Sequence, residues 1–100
     1  MSQNQICLIT KQADHLTIQY AQEWFQEDIE NLSTLIFSQI KSFEIQENIV
    51  GADRENIRFG WQNNYFILNF DCYSQSCWLE GQDEVSTSNL ESLYCAINQQ

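Results

Sequence analysis

The sequence predicts an α+β fold in which an antiparallel sheet of about five strands carries two helices packed on one face. Two observations predict it. Short segments that alternate apolar and polar residues lie on either side of one long segment, and that long segment has helical periodicity. Short links between the later strands favour antiparallel pairing. The 100 residues, 43% of them hydrophobic, suit a single domain spanning residues 1–100 with a buried core.

The first two predicted strands form a hairpin. They cover residues 6–11 and 16–20, and residues 12–14 separate them. In the second strand Leu16, Ile18 and Tyr20 alternate with polar residues, which is typical of a strand with one buried face.

A long helix is predicted over residues 22–43, where apolar residues recur at steps of three and four. Acidic residues crowd its first turns and Lys41 lies near its end, the order that the helix dipole favours. The stripe consists of Phe25, Ile29, Leu32, Ile36, Ile40 and Phe43.

Three or four more strands and a second helix complete the prediction, the segment over residues 45–50 being the strand that is left open. Residues 45–50 are a candidate for a further strand that Gly51 would end, and strands over residues 57–62 and 65–70 flank a two-residue loop, Asn63-Asn64. Residues 75–80 form the last strand. Ser88 and Glu91 fit a capping box for a C-terminal helix. The apolar stripe of that helix is Leu90, Leu93, Tyr94 and Ile97.

Pairing the central strands predicts which side chains face the core. With the Asn63-Asn64 loop, Trp61 lies opposite Phe66, and a four-residue loop over 71–74 places Leu68 opposite Cys77. A slip of one residue would scatter the apolar side chains over both faces, so the faces are well specified. The predicted core face holds Ile57, Phe59, Trp61, Phe66, Leu68, Phe70, Cys77 and Leu79.

The opposite, outer face then carries an apolar cluster that marks a candidate interface. In this pairing Ile67 lies between Gly60 on one strand and Trp78 on the other. The cluster can be covered by a terminal segment, a loop or Trp24, pair with a second copy of the chain, or bind another protein or a small ligand. Its predicted members are Trp78, Ile67 and Tyr65, with Arg58, Asn69 and Glu80 as a polar rim.

The charge and the N-terminal sequence limit the partners and the compartment. A net charge of −10 repels nucleic acid and anionic membranes, although it also allows an acidic decoy that binds a basic protein. The first 20 residues lack the pattern of a signal peptide, and no segment has the roughly 20 apolar residues of a membrane span. We therefore expect a cytoplasmic protein that contacts no membrane and no nucleic acid.

The sequence contains no catalytic, metal-binding or cofactor motif that we recognise. In the cytosol the four cysteines are expected to be reduced, separate thiols, with Cys72 alone in a loop and the others buried. The spacing of Cys72 and Cys77 is a weak metal signal. His15 has Asp14 beside it, but neighbours in a strand point to opposite faces. A small enzyme or a thiol-dependent sensor using Cys72 remains an alternative function.

One segment resembles a known family. The sequence NYFILNFDCYSQSCWLE, residues 64–80, is similar to part of a family of small, acidic, uncharacterised proteins of gammaproteobacteria, a domain of unknown function. The resemblance implies a cytoplasmic, bacterial protein and assigns no catalytic residue. The leading hypothesis is therefore a non-enzymatic interaction or regulatory module that uses the outer sheet face to bind a protein partner or itself, a homodimer included.

Overall fold

The computed structural model describes residues 4–98 and confirms the α+β class, with six strands instead of about five. All strand pairs are antiparallel, and the order across the sheet is β1-β2-β6-β5-β4-β3. The strands are β1 (Ile6–Lys11), β2 (His15–Tyr20), β3 (Glu44–Gly51), β4 (Arg54–Trp61), β5 (Asn64–Asp71) and β6 (Ser76–Gly81).

The chain forms a hairpin, crosses the sheet once and returns as a four-stranded meander. After the β1-β2 hairpin, a helical segment leads to β3 at the far edge, and β3 to β6 then run back until β6 pairs with β2. The predicted strand over residues 45–50 is confirmed as part of β3. This topology places β6 in the interior of the sheet and leaves β1 and β3 as its edges.

The helices pack against the inner face. They are a 3₁₀ turn (Gln26–Asp28), α1 (Ile29–Phe37), α2 (Glu84–Ser88) and α3 (Leu90–Ile97), so the described chain has three α-helices instead of two. Their buried side chains join the inward side chains of the strands in one hydrophobic cluster. All eight side chains predicted for the core face are buried, at 6% exposure or less.

The long helix predicted over residues 22–43 is wrong in its extent. The α-helix itself covers only Ile29–Phe37, and the 3₁₀ turn precedes it. Trp24 is held in a non-helical segment because the Gln75 side chain bonds both its backbone N–H and its carbonyl. The predicted stripe is buried at Ile29, Leu32, Ile36 and Ile40, but Phe25 and Phe43 at its two ends are exposed.

The start of the C-terminal helical segment also differs from the prediction. Ser88 does not cap a helix, because its hydroxyl donates to the Val85 carbonyl within α2. The cap lies earlier, where the Asp83 carboxylate accepts the backbone N–H of Ser86 at 2.7 Å. The predicted apolar side of α3 is confirmed at Leu90, Leu93 and Ile97, while Tyr94 is half-buried.

The predicted strand registers are wrong by two residues, although the predicted faces are right. The β4-β5 loop is Gln62-Asn63, so Trp61 pairs with Asn64 and Phe59 with Phe66. The β5-β6 loop covers residues 72–75, so Leu68 pairs with Leu79 and not with Cys77. Because side chains alternate with a period of two, a shift of two residues keeps every side chain on its face.

Candidate functional site on the outer face of the sheet

The outer face is built from rows of side chains that run across the strands. The register aligns one residue from each strand, so each row crosses the sheet perpendicular to the chain. The central row is Ile49, Asn56, Asn69, Trp78, Thr17 and Thr10, in the order β3, β4, β5, β6, β2 and β1. The next row is Glu47, Arg58, Ile67, Glu80 and His15, in the order β3, β4, β5, β6 and β2.

Trp78, Ile67 and Tyr65 all lie on this face, as predicted. Tyr65 is 43% exposed, and Trp78 and Ile67 are half-buried. The predicted neighbours of Ile67 are wrong: it lies between Arg58 and Glu80, and Trp78 is diagonal to it, opposite Asn69. The three apolar side chains therefore occupy adjacent positions on two neighbouring strands. We call these three residues the outer patch.

Gly60 lies opposite Tyr65 and not opposite Ile67. The two residues are partners in the β4-β5 ladder, and a Cβ atom built on Gly60 would lie 3.4 Å from the Tyr65 ring. The ring therefore lies over the glycine, an arrangement that compensates for the missing side chain in a strand. Tyr65 thus has a structural reason to be aromatic as well as an exposed surface.

Asn69 is not part of a polar rim, because only 4% of it is exposed. Its side-chain oxygen accepts from the Asn56 amide at 2.6 Å, and its amide donates to the Glu80 carboxylate at 2.9 Å. The chain of bonds runs from β4 through β5 to β6, directly beside Trp78. A satisfied, half-buried network of this kind fixes side-chain positions. Asn69 therefore links three strands beside Trp78 and fixes the side chains of Asn56 and Glu80 at the edge of the outer patch.

Charged groups flank the outer patch on both sides. Arg58 and Glu47 form an ion pair at 3.2 Å on the β3-β4 side. On the other side Glu80 lies opposite His15, whose Nδ1 is 2.8 Å from the Asp14 carboxylate. The expectation that Asp14 and His15 point apart is wrong, because Asp14 lies in the turn before β2. The hydrogen bond with His15 holds the pKa of Asp14 below its ordinary value.

A shallow groove of about 470 Å³ adjoins Trp78 where β2 and β6 separate. The two strands pair only over residues 15–17 and 78–80. Beyond Thr17 they diverge, and the groove opens between Gln19 and the start of β6. Its lining mixes the Trp78 indole with the Glu80 and Asp14 carboxylates and with the hydroxyls of Thr17, Ser74 and Ser76. Polar groups of this kind suit hydrogen bonding and contact with a positively charged group.

Trp24 does not cover the outer patch. It lies on the inner face, 3% exposed, with its ring 5.6 Å from that of Phe70. The predicted alternative of a terminal segment falls partly on residues 1–3 and 99–100, which lie outside the described residues. Within residues 4–98 the apolar sides of α1 and α3 are buried on the inner face.

The thiols are arranged differently from the expectation of three buried cysteines and one in a loop. Cys7 and Cys95 are exposed, Cys77 is buried and Cys72 is half-buried. Burial raises the pKa of Cys72, and the nearby Asp53 and Asp71 carboxylates raise it further. Because the thiolate is the reactive form, this environment disfavours a reactive thiol at neutral pH.

Residues 4–98 contain neither a metal-ligand cluster nor a membrane-spanning helix. No three His, Cys, Asp or Glu side chains in this part of the chain are grouped as metal ligands. None of the described helices has the length and apolar character needed to cross a membrane. The outer face offers apolar contact framed by carboxylates, hydroxyls and the guanidiniums of Arg54 and Arg58, which pair with Asp71 and Glu47.

Sequence reasoning missed three features of this site. They are the network through Asn69, the contact between His15 and Asp14, and the groove between β2 and β6. Only the network through Asn69 could have been found from the sequence, because the correct register makes Asn56 and Asn69 direct partners on one face. The groove depends on β2 pairing with β6, which are separated by most of the chain.

Comparison with known proteins places the chain in a family. No curated protein matches it, and no solved structure matches it. A family model described as "Protein of unknown function (DUF3630)" matches residues 5–98, which is nearly the whole chain. The chain therefore belongs to the DUF3630 family, a domain of unknown function.

Proposed function

We propose that this domain is a non-enzymatic, cytoplasmic interaction module that binds a protein through the outer patch. The observation that carries the proposal is that Trp78, Ile67 and Tyr65 lie together on a sheet face that none of the described helices packs against. Tryptophan and tyrosine are the residue types that most often dominate binding energy at protein contacts.

The surroundings of the outer patch support a contact surface. Arg58 and Glu80 flank Ile67 and supply polar groups at the edge of an apolar centre. The Asn69 network holds the Glu80 side chain beside the patch, so less conformational entropy of that side chain is lost when a partner binds. The partner is another protein or a second copy of this chain, and the two are distinguished by experiment.

The test compares Trp78→Ala with Tyr73→Ala. Tyr73 is 91% exposed in the β5-β6 loop and is an aromatic control that is not one of the three patch residues. Light scattering measures the mass of each purified variant, and affinity capture from cells that naturally contain the chain identifies bound proteins. We expect Trp78→Ala to weaken the contact by at least about tenfold, whereas Tyr73→Ala leaves it unchanged.

Thermal unfolding of each variant separates loss of contact from loss of fold. A second variant, Ile67→Glu, places a carboxylate at the centre of the patch without removing the indole. If both patch variants are folded and keep the mass and the captured proteins of the wild type, the outer patch is not a contact surface and the proposal fails.

A further inference from the structure

The outer face carries only a small part of the negative charge of the chain. Its strands place two arginines and four carboxylates on this face, so they contribute −2 to the net charge of −10. The residues are Arg54, Arg58, Glu44, Glu47, Asp71 and Glu80, and Asp14 lies in the adjoining turn. A second copy that approaches through its own outer face therefore meets little of the repulsion that the whole chain would exert.

The charges in one row of this face reverse their sign about Ile67. From β3 to β2 the row reads Glu47, Arg58, Ile67, Glu80 and His15. The guanidinium of Arg58 and the carboxylate of Glu80 thus lie one strand away from the isoleucine on opposite sides. A carboxylate and an imidazole occupy the two positions beyond them. A surface whose charges reverse about its centre is complementary to a second copy of itself.

A twofold axis that runs along β5 over Ile67 brings the opposite charges together. Rotation about this axis turns one outer face onto the other and exchanges the two sides of the row, so Arg58 of each copy lies opposite Glu80 of the other. Packed sheets cross at about 30°, which displaces a side chain one strand from the axis by only about 2.5 Å. Asp71 also lies near the axis, but Arg54 of the same chain offsets its charge at 3.5 Å.

An axis perpendicular to the strands has the opposite effect. Rotation about an axis along the row places each residue opposite its own copy, so Arg58 would face Arg58 and Glu80 would face Glu80. Like charges in direct contact across an interface weaken it. Of these two orientations, only the axis along β5 is favoured by the charges.

Arg58 and Glu80 can each take a further partner. Nη1 of Arg58 donates to Glu47 at 3.2 Å, but a guanidinium has five N–H donors, and the side chain is 35% exposed. Asn69 donates to one oxygen of Glu80, Oε2, and a carboxylate accepts at both of its oxygens. Ion pairs between two copies are therefore compatible with the bonds that each chain makes internally.

The size of the face and its apolar side chains also suit a dimer. Six strands of six to eight residues form a face about 24 Å wide and 20 to 27 Å long, a flat area on the order of 600 Å². A standard interface buries roughly 800 Å² of accessible surface on each partner, and accessible surface is larger than flat area. Leu8 on β1 and Ile49 on β3 extend the apolar contact to both edges, at 53% and 46% exposure.

We propose that the partner of the outer patch is a second copy of this chain, in a symmetric dimer whose axis runs along β5 and pairs Arg58 of each copy with Glu80 of the other. The inference rests on the proposed function, because it uses the same face. It adds the identity of the partner and the orientation in which the two copies meet.

Charge reversal tests the pairing, with the dimer dissociation constant of the full chain measured by analytical ultracentrifugation. Arg58→Glu places two pairs of carboxylates in contact across the dimer, and Glu80→Arg places two pairs of guanidiniums in contact. We expect each single variant to raise the dissociation constant at least about tenfold. The double variant Arg58→Glu/Glu80→Arg has opposite charges at both contacts, so we expect it to dimerise as the wild type does.

An equimolar mixture of the two single variants is the sharpest form of the test. In a mixed dimer one contact has its charges exchanged and the other is that of the wild type, so we expect dimers to form in the mixture although each variant alone dissociates. Lys41→Glu, between α1 and β3, and Glu91→Arg, on α3, are matched controls that make the same changes of charge away from this face. We expect both to leave the dissociation constant unchanged. Thermal unfolding shows that every variant is folded.

Two results would overturn the inference. One is a wild type that stays monomeric up to about 0.1 mM. The other is a dimer that neither the double variant nor the mixture restores, because Arg58 and Glu80 would then not face each other. If the wild type is a monomer and Trp78→Ala abolishes capture of another protein, this inference fails and the proposed function stands. If the wild type is a monomer and Trp78→Ala changes no captured protein, both fail.

Discussion

Gln75 joins the β5-β6 loop to the segment before α1, and replacing it tests why that segment is not helical. Its amide donates to the Trp24 carbonyl at 2.7 Å and to the Cys72 carbonyl at 3.0 Å, and its oxygen accepts from the Trp24 N–H at 3.0 Å. The backbone of Gln75 has a φ of 57°, in the left-handed region. Gln75→Gly therefore removes the side-chain bonds and leaves a residue suited to that backbone.

Gln62→Gly is the matched control for this variant. Gln62 also lies in a loop, is exposed and has a φ of 52°, so both substitutions change the backbone terms in the same way. A side-chain hydrogen bond contributes about 0.5 to 1.5 kcal/mol net, so the three bonds of Gln75, partly exposed to water, together contribute about 2 kcal/mol. Relief of the left-handed conformation and the flexibility of glycine cancel in the difference between the variants.

We therefore expect Gln75→Gly to be about 2 kcal/mol less stable than Gln62→Gly, with a melting temperature lower by about 10 °C. Urea unfolding followed by circular dichroism measures the difference, since the linear extrapolation applies equally to both variants. A difference below about 0.5 kcal/mol would refute the reasoning, because the bonds to Trp24 would then contribute less than one ordinary hydrogen bond.

Two further predictions concern positions where the fold has no room or excludes charge. Gly81→Ala would place a Cβ against the backbone of Thr87 in α2, so we expect the free energy of unfolding to fall by about 1 to 3 kcal/mol. Gly51→Ala is the control, because no atom lies nearer than 4.0 Å to the added Cβ, and its stability should change little. Equal urea midpoints for the two variants would contradict this prediction. Burial raises the pKa of Cys77 to about 12 from an ordinary value near 9. The folded state thus holds the thiol proton more tightly than the unfolded state does. The stability that results from keeping this thiol protonated is fully present below about pH 9 and is lost as the pH rises toward 12. Between about pH 9 and 11, the free energy of unfolding measured in urea should fall less for Cys77→Ala than for the wild type. If the two plots of this free energy against pH are parallel, the raised pKa does not belong to Cys77.

The faces of the central strands could be predicted from the sequence, but their registers could not. Alternation fixes which side chains are inward, because a one-residue slip would expose Phe59 and Phe66 to water. The register depends on which residues close the loops. Asparagine was expected at both loop positions of the β4-β5 hairpin, yet Gln62 occupies the first with positive φ and Asn63 the second. Because glutamine has no preference for positive φ, the sequence gives no sign that Gln62 adopts this conformation.

The helix over residues 22–43 illustrates a different limit. The apolar spacing continues past both ends of α1, because Phe25 and Phe43 stand at positions that a longer helix would bury. The 3₁₀ turn begins after Phe25, whose N–H is bound by the Asp28 carboxylate, and Ser42 has a positive φ of 58° after the helix ends. The bonds from Gln75 join residues that are 51 positions apart, so no local pattern contains them.

Contacts between residues that are distant in sequence also shape the outer patch, and they could not be predicted. The sequence placed Trp78, Ile67 and Tyr65 on the correct face, but it could not reveal that the asparagine between them is buried. A sheet that only needed to be stable could carry threonine or lysine at the half-exposed positions of Ile67 and Trp78. Instead, Asn69 is hydrogen-bonded to Asn56 and Glu80 directly across from Trp78, which remains partly accessible. Polar side chains that are already fixed beside an accessible aromatic side chain lose less entropy on binding, and that is the physical basis on which a contact role is proposed for this face.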